Sequence, residues 1–81
     1  MPKFRRDLTG KELISAFAKL GFAVVEQRGS HVKIKRNNND QEQTLTIPIH
    51  KEIDVGTARA IFNQALRFIP ADDLRNYFYT K

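Results

Sequence analysis

The chain has 81 residues and a net charge of +5, and we interpret it as a single domain over residues 1–81. It has no cysteine, which excludes disulfides and thiolate chemistry and favours a reducing cytoplasm. With only His31 and His50 besides the carboxylates, we predict neither a metal site nor a cofactor. No apolar run approaches the roughly 18 residues of a membrane span, and the basic segment 1–6 lacks the apolar stretch of a secretory signal.

The positive charge is concentrated in the first half of the chain. Residues 1–36 carry nine basic and three acidic side chains, a net +6, whereas residues 37–81 carry a net −1. A concentrated positive field favours a polyanionic partner such as nucleic acid. The alternative is a solvated basic face that only aids solubility.

The first predicted element is a helix over residues 10–20. Thr9 and Glu12 have the spacing of a capping box, in which the hydroxyl accepts from the backbone and the carboxylate reaches back. Gly21 follows where a left-handed C-terminal cap is expected. The apolar side chains recur at helical spacing, at Leu13, Ile14, Phe17 and Leu20.

Two strands follow, near 22–28 and 31–36. The two-residue loop Gly29-Ser30, with glycine first, is typical of a type II′ hairpin turn. Facing residues share one side of a hairpin, so this register predicts three pairs on one face: Arg28 with His31, Glu26 with Lys33, and Val24 with Lys35. The core face would carry Val25, Val32 and Ile34, and Phe22 breaks the alternation, which predicts a bulge or a later strand start.

A third strand is predicted near 43–49, after a turn at 37–40. Pro48 lacks a backbone donor, so this strand belongs at an edge of the sheet. Strand alternation sends Leu45, Ile47 and Ile49 inward, and Thr44, Thr46, Pro48 and His50 outward.

Two further helices complete the predicted fold. Asp54 is a good N-cap for a helix over 55–67, whose apolar stripe is Ala58, Ile61, Phe62, Ala65 and Leu66. Pro70 can open a short third helix that buries Leu74, Tyr77 and Phe78. The order predicts an α+β fold: helix, three-stranded antiparallel sheet, helix, and a short C-terminal helix. Helices on one face would leave the other face open, with His31 on it.

Several segments together resemble one family, the HicA toxins of bacterial toxin–antitoxin systems. The similar segments are 10–14, 21–22, 27–32, 46–50, 55–57, Arg59 and Ile61, and the resemblance spans about residues 9–66. It implies a fold similar to the double-stranded RNA-binding domain, endoribonuclease activity on messenger RNA, and neutralisation by a HicB-type antitoxin. The family's catalytic histidine follows a Gly-Ser pair, which here is His31. Residues 68–81 have no assigned family role, and packing or a partner contact are the alternatives.

The resemblance gives His31 a chemical role. RNA carries its own nucleophile, the 2′-hydroxyl, and an imidazole exchanges protons near neutral pH, so His31 is predicted to act as general base or acid without a metal. Arg28, Lys33 and Lys35 would bind phosphates beside it. An ordinary surface histidine and a solvated strand face, with Glu26 paired to Lys33, are the alternatives.

Other residues are candidates for RNA contact. Gly29 and Ser30 lie in the loop before His31, and His50 is predicted to touch substrate, with a second acid–base role or a structural role as alternatives. Thr57 and Arg59 lie at the start of the second helix, where backbone donors can receive a phosphate unless Asp54 already caps them. A non-catalytic RNA-binding module and a protein–protein module remain the alternative functions.

Overall fold

A computed structural model describes residues 2–80 and confirms the α+β class. The three strands form one antiparallel sheet in the order β1-β2-β3, which places β3 at an edge as predicted. The elements in chain order are α1 (Gly10–Lys19), β1 (Ala23–Arg28), β2 (His31–Asn38), β3 (Gln41–Pro48), α2 (Val55–Ala65) and α3 (Ala71–Phe78). No helix among residues 2–80 is long and apolar enough to cross a membrane.

Helix α1 begins and ends as predicted. The Thr9 hydroxyl accepts a hydrogen bond from the Glu12 N–H at 3.1 Å, and Gly21 leaves the helix with a φ of +99°. The second half of the capping box is replaced, because the Glu12 carboxylate lies 2.9 Å from the guanidinium of Arg5. The start of α1 is thereby tied to the segment that precedes it.

Both hairpins turn through residues with positive φ. In the first loop Gly29 has a φ of +56° and Ser30 does not, which is the φ pattern of the predicted type II′ turn. In the second loop Asn39 and Asp40 both have positive φ, at +52° and +65°, as in a type I′ turn. The turn is therefore shorter than the predicted 37–40 segment, and both strands run up to it.

A bulge in β1 overturns part of the predicted register. The pairs nearest the turn are those expected, but the pairing shifts between Val24 and Glu26. Val24 therefore lies opposite Ile34 and not opposite Lys35. Val25 is the extra residue and is 53% exposed, so the prediction that it enters the core is wrong. One inserted residue reverses which side the following side chains face.

The helices cover one face of the sheet, and the core lies between the helices and the sheet. Four buried apolar side chains of the sheet, Val32, Ile34, Leu45 and Ile47, join Leu13 and Phe17 of α1 and Ala58, Ile61 and Ala65 of α2 in one apolar cluster. On the opposite face, His31, Lys33, Thr44 and Thr46 are exposed. The prediction for Leu66 is wrong, because α2 ends at Ala65 and Leu66 is 41% exposed beyond it.

Arg36 serves the fold rather than the basic surface. Its guanidinium donates to the Gln43 side chain at 2.7 Å, to the Leu20 carbonyl at 2.8 Å and to the Phe68 carbonyl at 3.3 Å. It also lies 5.0 Å from the ring centroid of Phe22. These contacts join β2 to the end of α1 and to the segment after α2.

The C-terminal segment packs into the same core. Leu74 and Phe78 of α3 are fully buried, whereas Tyr77 is only half-buried. The segment before α1 also pairs with the end of α3: the Arg5 N–H donates to the Phe78 carbonyl at 2.8 Å, and a β-bridge joins residues 4 and 79. Of the alternatives left open for residues 68–81, the structure therefore supports packing.

Candidate functional site

His31 and His50 line one cleft of about 530 Å³ beside the edge strand β3. His31 is the first residue of β2, is exposed, and pairs with Pro48 on β3. His50 is also exposed and lies two residues beyond Pro48, so the end of β3 brings the two imidazoles to the same cleft. The remaining lining residues come from β3, the following loop and α2: Thr46, Pro48, Glu52, Ile53, Asp54, Thr57, Ala60, Ile61 and Gln64.

Backbone hydrogen bonds on either side of His50 fix its position. The Ile49 N–H donates to the carbonyl of Ser30, at 2.6 Å, and the Gly10 N–H donates to the carbonyl of His50 itself, at 3.0 Å. The first bond joins the end of β3 to the hairpin loop before His31, and the second joins it to α1. A Cβ at Gly10 would collide with the carbonyl oxygen of Pro48, so this close approach requires glycine.

The cleft also contains negative charge at Asp54, whose capping of the donors at the start of α2 is the alternative that the sequence left open. Asp54 accepts hydrogen bonds from the Thr57 hydroxyl at 2.8 Å and the Thr57 N–H at 3.1 Å. These two bonds, the hydroxyl first, lower the pKa of Asp54, and the nearby His50 adds to the effect. The carboxylate is therefore ionised at neutral pH, and a phosphate could use the Thr57 donors only by displacing it.

The hairpin cations next to His31 are paired with carboxylates. Glu26 lies 3.8 Å from the Lys33 amine, as the register predicts, and 3.7 Å from the Arg28 guanidinium. Lys35 pairs with Glu42 at 2.6 Å, a contact that the sequence did not indicate. Exposed ion pairs of this kind contribute about 0.2–1 kcal/mol each, so a phosphate can replace the carboxylate at small cost.

The other residues predicted to contact RNA do not line the cleft, apart from Thr57. Gly29 and Ser30 are exposed at the tip of the first hairpin, and an added Cβ at Gly29 would meet no atom within 4 Å. Arg59 does not line the cleft; its guanidinium lies 4.7 Å from the ring centroid of Phe4. The structure thus brings His31, His50 and Thr57 together and leaves Arg59 elsewhere on α2.

A second hollow, which sequence reasoning missed, adjoins His50. It measures about 270 Å³ and is lined by Thr9, Lys11, Ile49, His50 and Lys51. The position of Lys51 directly after His50 is visible in the sequence, but the proximity of Lys11 depends on how α1 packs against the end of β3. Among residues 2–80, no group of three or more histidine and carboxylate side chains is arranged to hold a metal ion.

Comparison with known protein families gives a match over most of the chain. A family model described as "HicA toxin of bacterial toxin-antitoxin" matches residues 10–66, which is more than half of the chain. Comparisons with curated proteins and with solved structures gave no match. The matched segment begins at the first residue of α1 and ends just after α2, so it includes the whole cleft and excludes α3.

Proposed function

The chain belongs to the HicA family of toxins from bacterial toxin–antitoxin systems, and on this basis we propose that it is an endoribonuclease that cleaves messenger RNA with His31. The observation that carries the proposal is the exposed position of His31 at the mouth of a cleft, beside the hairpin cations. A histidine sealed in the core would have no access to a phosphate chain. Here the imidazole borders open space that is large enough for part of a nucleotide.

The proposed chemistry uses the nucleophile that RNA itself supplies. His31 accepts the proton of a ribose 2′-hydroxyl, and the 2′-oxygen attacks the adjacent phosphorus. The bond from phosphorus to the 5′-oxygen breaks, and that oxygen takes a proton from the imidazolium or from water. The products are a 2′,3′-cyclic phosphate and a 5′-hydroxyl, with no metal in the scheme. Acid–base help of this kind contributes about 10²–10⁴-fold to the rate.

Binding of the RNA is assigned to the hairpin and to His50. Arg28, Lys33 and Lys35 can exchange Glu26 and Glu42 for phosphates, since their present ion pairs are exposed. The small, exposed loop residues before His31 let the RNA backbone come close. His50 contacts substrate in the cleft. Thr57 contributes only if Asp54 is displaced, and Arg59 only to RNA that extends beyond the cleft.

The partner we propose is a HicB-type antitoxin, and the place of action is the cytoplasm, where messenger RNA is translated. The family membership supports an antitoxin partner in general. We also propose that residues 1–81 act as one domain, because α3 and the segment before α1 share the core on which the cleft is built.

Incubation of the purified chain with end-labelled single-stranded RNA in EDTA tests the proposal. We expect discrete cleavage products, because no step requires a divalent ion. Activity that disappears in EDTA and returns with added Mg²⁺ would contradict the metal-independent scheme. RNA that is bound by the folded protein but stays intact would identify the chain as a non-catalytic RNA-binding module instead.

A further inference from the structure

We propose that Lys11 and Lys51 form a second phosphate-binding subsite, on the opposite side of His50 from His31, so that a bound RNA strand passes over His50. This inference rests on the proposed function, because it names where the same substrate continues. Nothing in the sequence pattern assigned a role to either lysine.

The subsite is a defined hollow that the fold assembles from two distant segments. Lys11 lies in the first turn of α1, and Lys51 lies in the loop after β3. The hydrogen bond from the Gly10 N–H to the His50 carbonyl holds these segments together at 3.0 Å. Both lysines therefore border the same space of about 270 Å³.

The charge of this hollow differs from that of the hairpin. Within residues 2–80, neither Lys11 nor Lys51 takes part in an ion pair, whereas the hairpin cations do. The carboxylate of Glu12, next to Lys11, is already engaged by Arg5 at 2.9 Å. Two cations that lack an ion-pair partner at one hollow favour a bound anion, whose binding releases counterions.

The hollow adjoins the cleft that His31 lines. His50 lines both spaces, so an occupant of the cleft is adjacent to an occupant of the hollow. Ile49 provides a half-buried apolar wall against which a ribose or base can pack. A nucleic-acid strand carries a phosphate at every nucleotide and can fill both spaces at once, which a single small anion cannot. RNA is therefore the ligand that we assign to the hollow.

The test compares two pairs of substitutions in a His31→Ala background, in which we expect RNA cleavage to be about 10²–10⁴-fold slower. The test pair is Lys11→Gln with Lys51→Gln. The control pair is Lys19→Gln with Arg67→Gln, which removes two exposed cations that line neither space. Each phosphate contact to a single strand contributes about 0.7 to the slope of log Kobs against log salt concentration. We expect the test pair to reduce the slope by about 1.4 and the control pair to leave it nearly unchanged.

Equal changes in the two pairs, or no change in either, would overturn the subsite. A test pair that loses binding to an acidic antitoxin but keeps the full RNA slope would overturn it too, since the hollow would then be a protein contact. After any of these outcomes, cleavage of RNA by the wild-type chain would still support the proposed function. If the wild-type chain neither binds nor cleaves RNA, both the proposed function and the proposed subsite are wrong. Thermal unfolding of each variant tests whether the substitutions leave the fold intact.

Discussion

A His31→Ala chain is expected to cleave RNA about 10²–10⁴-fold more slowly than the wild type and to lose its toxicity to growing cells. The loss follows from removal of the group that moves the proton. The fold and most of the RNA affinity should persist, because the His31 side chain is exposed and only its backbone takes part in the sheet. Initial cleavage rates with labelled RNA, together with the melting temperature, measure both parts of the prediction.

His50→Ala is the matched control for this prediction, since it removes the same side chain from the same cleft. For His50→Ala we expect a smaller decrease in the cleavage rate than for His31→Ala. The main effect should be weaker RNA binding. Losses of equal size in the two variants would show that proton transfer is shared and that a single-histidine mechanism is wrong. Undiminished cleavage by His31→Ala would remove His31 from the reaction altogether.

Phe78→Ala is expected to lower the free energy of unfolding by about 3–5 kcal/mol, the range found for truncation of a buried phenylalanine. Phe78 is fully buried, and its ring centroid lies 5.3 Å from that of Phe62, 6.0 Å from that of Phe4 and 6.1 Å from that of Phe17. A domain of this length has a total stability of about 4–12 kcal/mol. The substitution therefore removes a large part of it, although Phe78 lies outside the family match. Urea denaturation measures the effect.

Tyr77→Ala provides the comparison within the same helix. Tyr77 is half-buried, so its truncation should destabilise the protein by clearly less than that of Phe78. A surface substitution usually changes the free energy of unfolding by no more than about 0.5 kcal/mol. If Phe78→Ala changed it by no more than that, α3 would be dispensable to the core. The C-terminal segment would then be an appendage, and a partner contact would again be its best explanation.

Much of the fold was predictable because it follows local rules. The cap at Thr9, the positive φ at Gly29 and the cap at Asp54 depend only on residues within four positions of each other. The edge position of β3 follows from the missing donor of Pro48. Rules of this range also gave the hairpin register near the turn, and with it the pairing of His31 with Arg28.

Features that depend on packing were not predictable. The Phe22 anomaly indicated an irregularity in β1 but not that Val25 would be the exposed extra residue. Arg36 counted as one of the basic side chains of the first half, yet it packs on Phe22 and binds backbone carbonyls. Its role depends on the end of α1 and the segment after α2 meeting at β2, which no short pattern in the sequence expresses.

In the candidate site, too, features that follow local rules were predictable and features that depend on packing were not. Strand alternation placed His31 and Lys33 on the open face, and the structure has them there. The carboxylate of Asp54 in the cleft and the approach of Lys11 to His50 depend on how helices meet the end of β3, so they required coordinates.

The most direct test of the proposed mechanism is cleavage of an RNA that carries one 2′-deoxynucleotide immediately before a bond the wild-type chain normally cuts. If the 2′-hydroxyl is the nucleophile that His31 activates, that bond will stay intact while the other bonds are cut at their usual rates. Cleavage at the deoxy position, at the normal rate, would mean that the attacking oxygen comes from elsewhere and would contradict the mechanism.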